Sequence, residues 1–319
     1  MRWRSQSIWF ASAVGITATW LLAQPPQPTV KRAQAPKFDP AKVSEYFFED
    51  AFTKVIGERP AANSTSTPTG STASASASRS DASAMVGSGE WAKVISSTTI
   101  EDEIKAIKRE VDKNITTPSD FAGRGHKAIR REFSILAMLF AIIHEYQGDV
   151  RFKKDAPTAR NLFARTANNT KAGGNTTVFS EAKARKTDLE ELLGGSSLAV
   201  EASSETPDWP TIIDRSPLMQ RMESAFQGRI SPALANKNEF AKNTDSVLHE
   251  AELIAAMATV LTKEGMSDAD DETYAGFAKS MKAAAIEVAS AVKSNSYDQA
   301  RAASGKIDKA CSACHESYR

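Results

Sequence analysis

The residues with the clearest chemistry are Cys311-Ser312-Ala313-Cys314-His315, and the 319-residue chain has no other cysteine. On a helix, positions i, i+3 and i+4 share one face. Both thiols therefore look the same way, with the imidazole directly behind the second. Two thiols that add to the vinyl groups of one porphyrin, with the adjacent imidazole on its iron, is the chemistry of a C-x-x-C-H pattern. The spacing predicts one covalent haem c, with thioethers at Cys311 and Cys314 and His315 as the metal ligand. Three rivals use the same residues. A zinc site needs a fourth ligand, and none stands at a plausible spacing. A redox dithiol ordinarily opens a helix after a strand, and the motif can also arise by accident. With two cysteines so close together, no long-range disulfide holds the fold, so apolar burial must.

The motif closes a predicted helix. Tyr297, Ala300, Ile307, Cys311 and Cys314 form its apolar side, and Ser296-x-x-Gln299 reads as a capping box. Earlier stripes run Val247, Ala251, Ile254, Ala258, Leu261 and then Phe277, Met281, Ala284, Val288, Val292. Upstream, Ile129, Phe133, Leu136, Phe140 and Ile143 make a matching stripe, and Thr98-x-x-Glu101 suggests a helix cap. These stripes belong to an internal repeat. Trp91-Ala92-Lys93-Val94-Ile95 returns 118 residues later as Trp209-Pro210-Thr211-Ile212-Ile213, and the same offset sets Phe179 over Tyr297, Ala182 over Ala300 and Leu189 over Ile307. We therefore expect an all-α chain with two tandem four-helix bundles, 91–197 and 209–319. The offset carries Cys311, Cys314 and His315 onto Leu193, Ser196 and Ser197. The first repeat is predicted to be haem-less.

The end of the chain, Cys311-x-Ala313-Cys314-His315-x-x-Tyr318-Arg319, resembles the class II cytochromes c, the cytochrome c′ group, over about a third of the sequence. The resemblance implies a basic Arg319 near the His315 imidazole and a Tyr318 that packs. It implies that the first helix of the second repeat, Ser216 to Ile230, covers the opposite haem face, with either an apolar side chain or a Met sulfur. Leu218, Met219 and Met222 stand there. They cannot all face inward: Met219 can share a side with Met222, and Leu218 pairs with Met222 equally well. Met219 is the candidate ligand, although a helical Met is commonly core filler. We favour an apolar lid and five-coordinate iron. The resemblance further implies electron transfer between redox partner proteins or binding of a diatomic gas such as NO or CO, without enzymatic turnover; the alternative is a haem-bearing interaction scaffold. The repeats are expected to pack as an intramolecular pseudo-dimer.

Forty basic against thirty-nine acidic residues leave a formal charge of +1. With no basic run, a dedicated nucleic-acid binder is excluded. Neither GxGxxG nor GxxxxGK[ST] occurs, so phosphate-binding loops are not indicated. Met1-Arg2-Trp3-Arg4 followed by the apolar Ile8–Leu22 and Ala23 predicts a signal peptide over 1–23, hence export to the periplasm. Leu21 is a poor cleavage determinant, which keeps an N-terminal membrane anchor open. Residues 24–90 read as a tether and a flexible Ser/Ala/Thr-rich linker, interrupted by one amphipathic segment, Val43 to Ile56.

Overall fold

The computed structural model describes residues 90–198 and 208–318. The predicted signal segment, the tether and linker up to residue 89, the Val43–Ile56 segment and Arg319 lie outside the described residues. Among the described residues all regular structure is helical and no strand occurs. No helix among them is long and apolar enough to cross a membrane.

Helix α1, Ser97–Asn114, exists because Ile100, Ile104, Ile107 and Val111 place an apolar stripe on one side, and all four are buried. Its cap is Ser96, whose hydroxyl accepts the Thr99 N–H at 3.2 Å, two residues before the expected Thr98 cap. After a helical lead-in, Pro118–Asp120, and a π-turn, Phe121–Gly125, comes α2, His126–Glu145. Every residue of α2 from Phe133 to Ile143 is buried, so this helix is apolar all round and must be covered on all sides. Helices α1 and α3 (Ala156–Asn169) pack on it, and α4 (Thr176–Gly194) closes against both α1 and α3.

The second half follows the same order. A short turn, Trp209–Ile212, leads to α5, Arg215–Ala225, which runs on through a π-turn, Phe226–Ile230. Then come a short α6, Lys237–Lys242, and α7, Thr244–Val260, buried throughout from Glu250 to Val260. Helices α8, Glu272–Lys293, and α9, Tyr297–Ser317, complete it. The apolar stripes read from the sequence in α2, α7 and α8 are buried, with Phe277 half-buried at the edge. Helix α7 packs on α5 and α8, and α8 on α9, but α5 and α9 are not closely packed.

The halves share an apolar and ionic seam. Helix α5 lies on α2, and α7 reaches α1. Trp91 and Trp209, the repeated tryptophans, meet with ring centroids 5.9 Å apart. The Lys263 ammonium lies 5.0 Å from the centroid of Trp91 and 5.9 Å from that of Trp209, a cation–π contact to both rings. The Trp91 indole N–H donates to Glu145 at 2.7 Å.

Candidate cofactor site

Between α5 and α9 lies a cavity of about 530 Å³, inside the range of roughly 300–1,000 Å³ typical of small-ligand and cofactor sites. One wall is α9, which contributes Asp308, Cys311, Ser312, Cys314 and His315. Cysteine spacing explains the orientation: one helical turn separates the two sulfurs, so both turn to the cavity. Cys314 is buried, Cys311 half-buried and His315 exposed. The motif lies within the last two turns of α9, whose N-terminus is fourteen residues away from Cys311, so no helix N-terminus acidifies the thiols. Burial instead pushes the Cys311 thiol up to about 11, with the nearby Asp308 carboxylate adding to the effect, and burial raises Cys314 too. The surroundings thus favour the thiol form and do not activate either sulfur as the nucleophile of a redox dithiol would be activated. Among the described residues there is no group of three or more His, Cys, Asp or Glu that could hold a metal ion.

The opposite wall is α5. Of the three candidate covering residues, Met219 and Met222 line the cavity, while Leu218 is fully buried on another face. The helix phase therefore turns two sulfurs to the cavity rather than a leucine methyl. Phe226, in the π-turn that follows α5, and Leu261, at the end of α7, add apolar surface. The floor comes from α8, through Tyr274, Ala278 and Met281.

The Tyr274 hydroxyl is buried at the cavity floor, with the Arg215 side chain as its hydrogen-bonding neighbour. Burial raises its pKa, outweighing the Arg215 hydrogen bond and charge. Arg215 lies over the Tyr274 ring, 5.7 Å from the centroid, and pairs with Asp268. Asp271 caps α8 by accepting the Thr273 and Tyr274 N–H groups. Tyr318 packs edge-on against Tyr274, centroids 5.3 Å apart, in keeping with a packing role.

The same positions in the first half build no such site. Helix α4 stops where α9 continues: Gly195, at φ +89°, donates to Leu192, and Ser196 donates to Glu191. This paired closure by a left-handed glycine ends the helix. Ser196 and Ser197, the counterparts of Cys314 and His315, lie beyond that end. Leu193 is half-buried, and its neighbour Leu192 does the core packing.

Sequence reasoning had not included Tyr274, Phe226, Leu261, Ala278 or Met281 in the site. The available signal was Ala278 and Met281, small or flexible residues in a stripe that otherwise reads as ordinary core. Comparison with known protein families, with curated proteins and with solved structures finds no match to this chain.

Proposed function

We propose that this chain is a c-type cytochrome of the class II, cytochrome c′-like kind, exported to the periplasm and carrying one covalent haem c in the second of two tandem four-helix bundles. The observation that supports it most is the cavity itself, where Cys311, Cys314 and His315 stand on one wall and Met219 and Met222 on the other. These residues are about ninety positions apart in sequence, and neither group needs the other to form a stable helix.

The donor set suits the group. The thiols of Cys311 and Cys314 would hold it through thioethers, His315 would ligate its iron, and Tyr274 brings a buried hydroxyl beside Arg215 to the cavity floor. When bound, haem would supply a one-electron couple and an iron able to take a further ligand. The protein's part is to keep water out with Phe226, Leu261 and Met281, and to decide what fills that position. The helix phase at Met219 and Met222 supports a sulfur ligand and hence electron transfer to a redox partner protein. The second reading, NO or CO binding at five-coordinate iron, is supported by the apolar remainder of the lining. In the resemblance Arg319 tunes His315. The tandem arrangement is supported by the repeated element order and by the 118-residue offset.

An absorption spectrum of oxidised and reduced protein, with and without CO, tests the assignment. A low-spin ferric spectrum with a sulfur-to-iron charge-transfer band that disappears in Met219→Leu indicates the electron carrier. A high-spin spectrum with prompt CO binding indicates the gas binder. A protein without a haem spectrum after maturation in a competent host overturns both.

A further inference from the structure

The first half makes a buried ionic contact with the second on α5, the helix that carries Met219 and Met222. Arg221 stands two residues after the first and one before the second. Its Nε donates to Glu103 Oε1 at 2.7 Å, and a second guanidinium nitrogen donates to Glu103 Oε2 at 3.1 Å. The remaining terminal nitrogen donates to Glu250 of α7 at 2.6 Å. His249 of α7 completes the group, with Nε2 2.9 Å from Glu103 Oε2. Glu103 and Glu250 are buried, and Arg221 is largely so. Glu103 lies on α1, exactly one repeat offset (118 residues) before Arg221.

Helix α5 rests on α2 and α7 and not on its neighbour across the cavity, α9, so its rotation is set from the α2 and α7 side. The helix also runs directly into a π-turn, which shifts the phase of everything that follows. Moving one residue around a helix turns a side chain by about 100°. A planar guanidinium held by three N–H donors to two carboxylates on different helices resists such a turn far better than a single apolar contact, since bidentate pairing is directional.

We infer that the first repeat is a positioning element: through Glu103 it clamps Arg221 and so sets the angle at which Met219 and Met222 face the cavity. This rests on the haem reading above. Glu103 and Arg221 act through the methionines and touch no cofactor themselves.

The control lies in the same seam. Glu252 of α7 is also buried and also crosses the halves, accepting from Ser96 Oγ and Thr99 Oγ1, both at 2.7 Å, and pairing with Lys293. Its polar partners, Ser96, Thr99 and Lys293, lie off α5. The test compares holoproteins of Glu103→Gln, Arg221→Lys and Glu252→Gln with the parent, first for covalent haem by mass spectrometry and then for the rate of CO binding to the ferrous form. Glu103→Gln and Arg221→Lys should keep the haem and bind CO several-fold faster, because a loosened wall opens the distal side whether or not a sulfur is ligated. Glu252→Gln should match the parent rate. Arg221→Lys keeps a cation at the site and guards against misfolding of the glutamine variant. Equal rates in all four haem-loaded proteins, or an equal change in Glu252→Gln, would overturn the clamp while leaving the haem assignment intact. A parent protein with no covalent haem would overturn the haem reading, and the clamp with it.

Discussion

Phe140 and Phe163 stack in the first half, nearly parallel at 5.7 Å, with Phe133 5.3 Å from Phe163. One offset later the chain places Ala258, Met281 and Ala251. At the same time α1 packs directly on α4, whereas α5 and α9 stand on either side of a cavity. One half spends its interior on aromatic rings and stops its last helix at Gly195; the other keeps its interior small and runs its last helix through the cysteines. Two sequences with one helical order thus differ in what they leave empty. A fold of this kind opens a cavity by withholding side chains as much as by placing cysteines beside it.

The sharpest way to break that contrast is to fill the space. Ala278→Phe puts a ring where the cavity floor is an alanine, and covalent haem should fall to a trace while far-ultraviolet circular dichroism stays near that of the parent apoprotein. Unchanged attachment would mean that the cavity is not where the group resides. Next in size is a pair of truncations. Phe163→Ala removes a fully buried ring and should cost about 3–5 kcal/mol in urea unfolding of the apoprotein. Met281→Ala, which already faces the cavity, should cost about 2 kcal/mol or less, because part of its surround is open space.

Acid probes the seam between the halves. Burial would by itself raise the Glu103 carboxyl, but the hydrogen bond to His249 and the Arg221 guanidinium outweigh it and hold the group at about 2, against an ordinary 4.5. A depressed carboxyl contributes stability that is fully present above the unfolded value and is lost as pH falls through the folded one. The contribution, on the order of 3 kcal/mol, should therefore fade between pH 4.5 and 2. Urea midpoints across that range should fall more steeply in the parent than in Glu103→Gln.

Much of this was legible in the sequence. The stripe Ile129, Phe133, Leu136, Phe140, Ile143 is entirely buried, and the first covering helix, expected over Ser216 to Ile230, is α5 with its π-turn. Cys311, Cys314, Met219 and Met222 do share one cavity. The phase of α5 was not legible, because Met222 pairs as well with Leu218 as with Met219 on helical spacing alone. Only packing on α7 and α2 and the Arg221 contacts decide it. His249 has nothing in its local sequence to set it apart, yet it joins a buried ion cluster with Glu103 of α1, Arg221 of α5 and Glu250 of α7. Such long-range charge pairs leave no local pattern. The caps were partly legible: Ser296 precedes α9 but its side chain makes no cap bond, and Ser96 rather than Thr98 caps α1.

The central claim is that one half of the molecule, and only that half, carries haem. It is tested most directly by intact-protein mass spectrometry of chain matured in a host with haem-attachment machinery, after acid-acetone extraction. The account predicts a mass increase of one haem per chain, mapped to the peptide containing Cys311 and Cys314, and its loss or marked weakening in Cys314→Ala. No haem, two haems, or a haem mapped to residues 91–197 would contradict it.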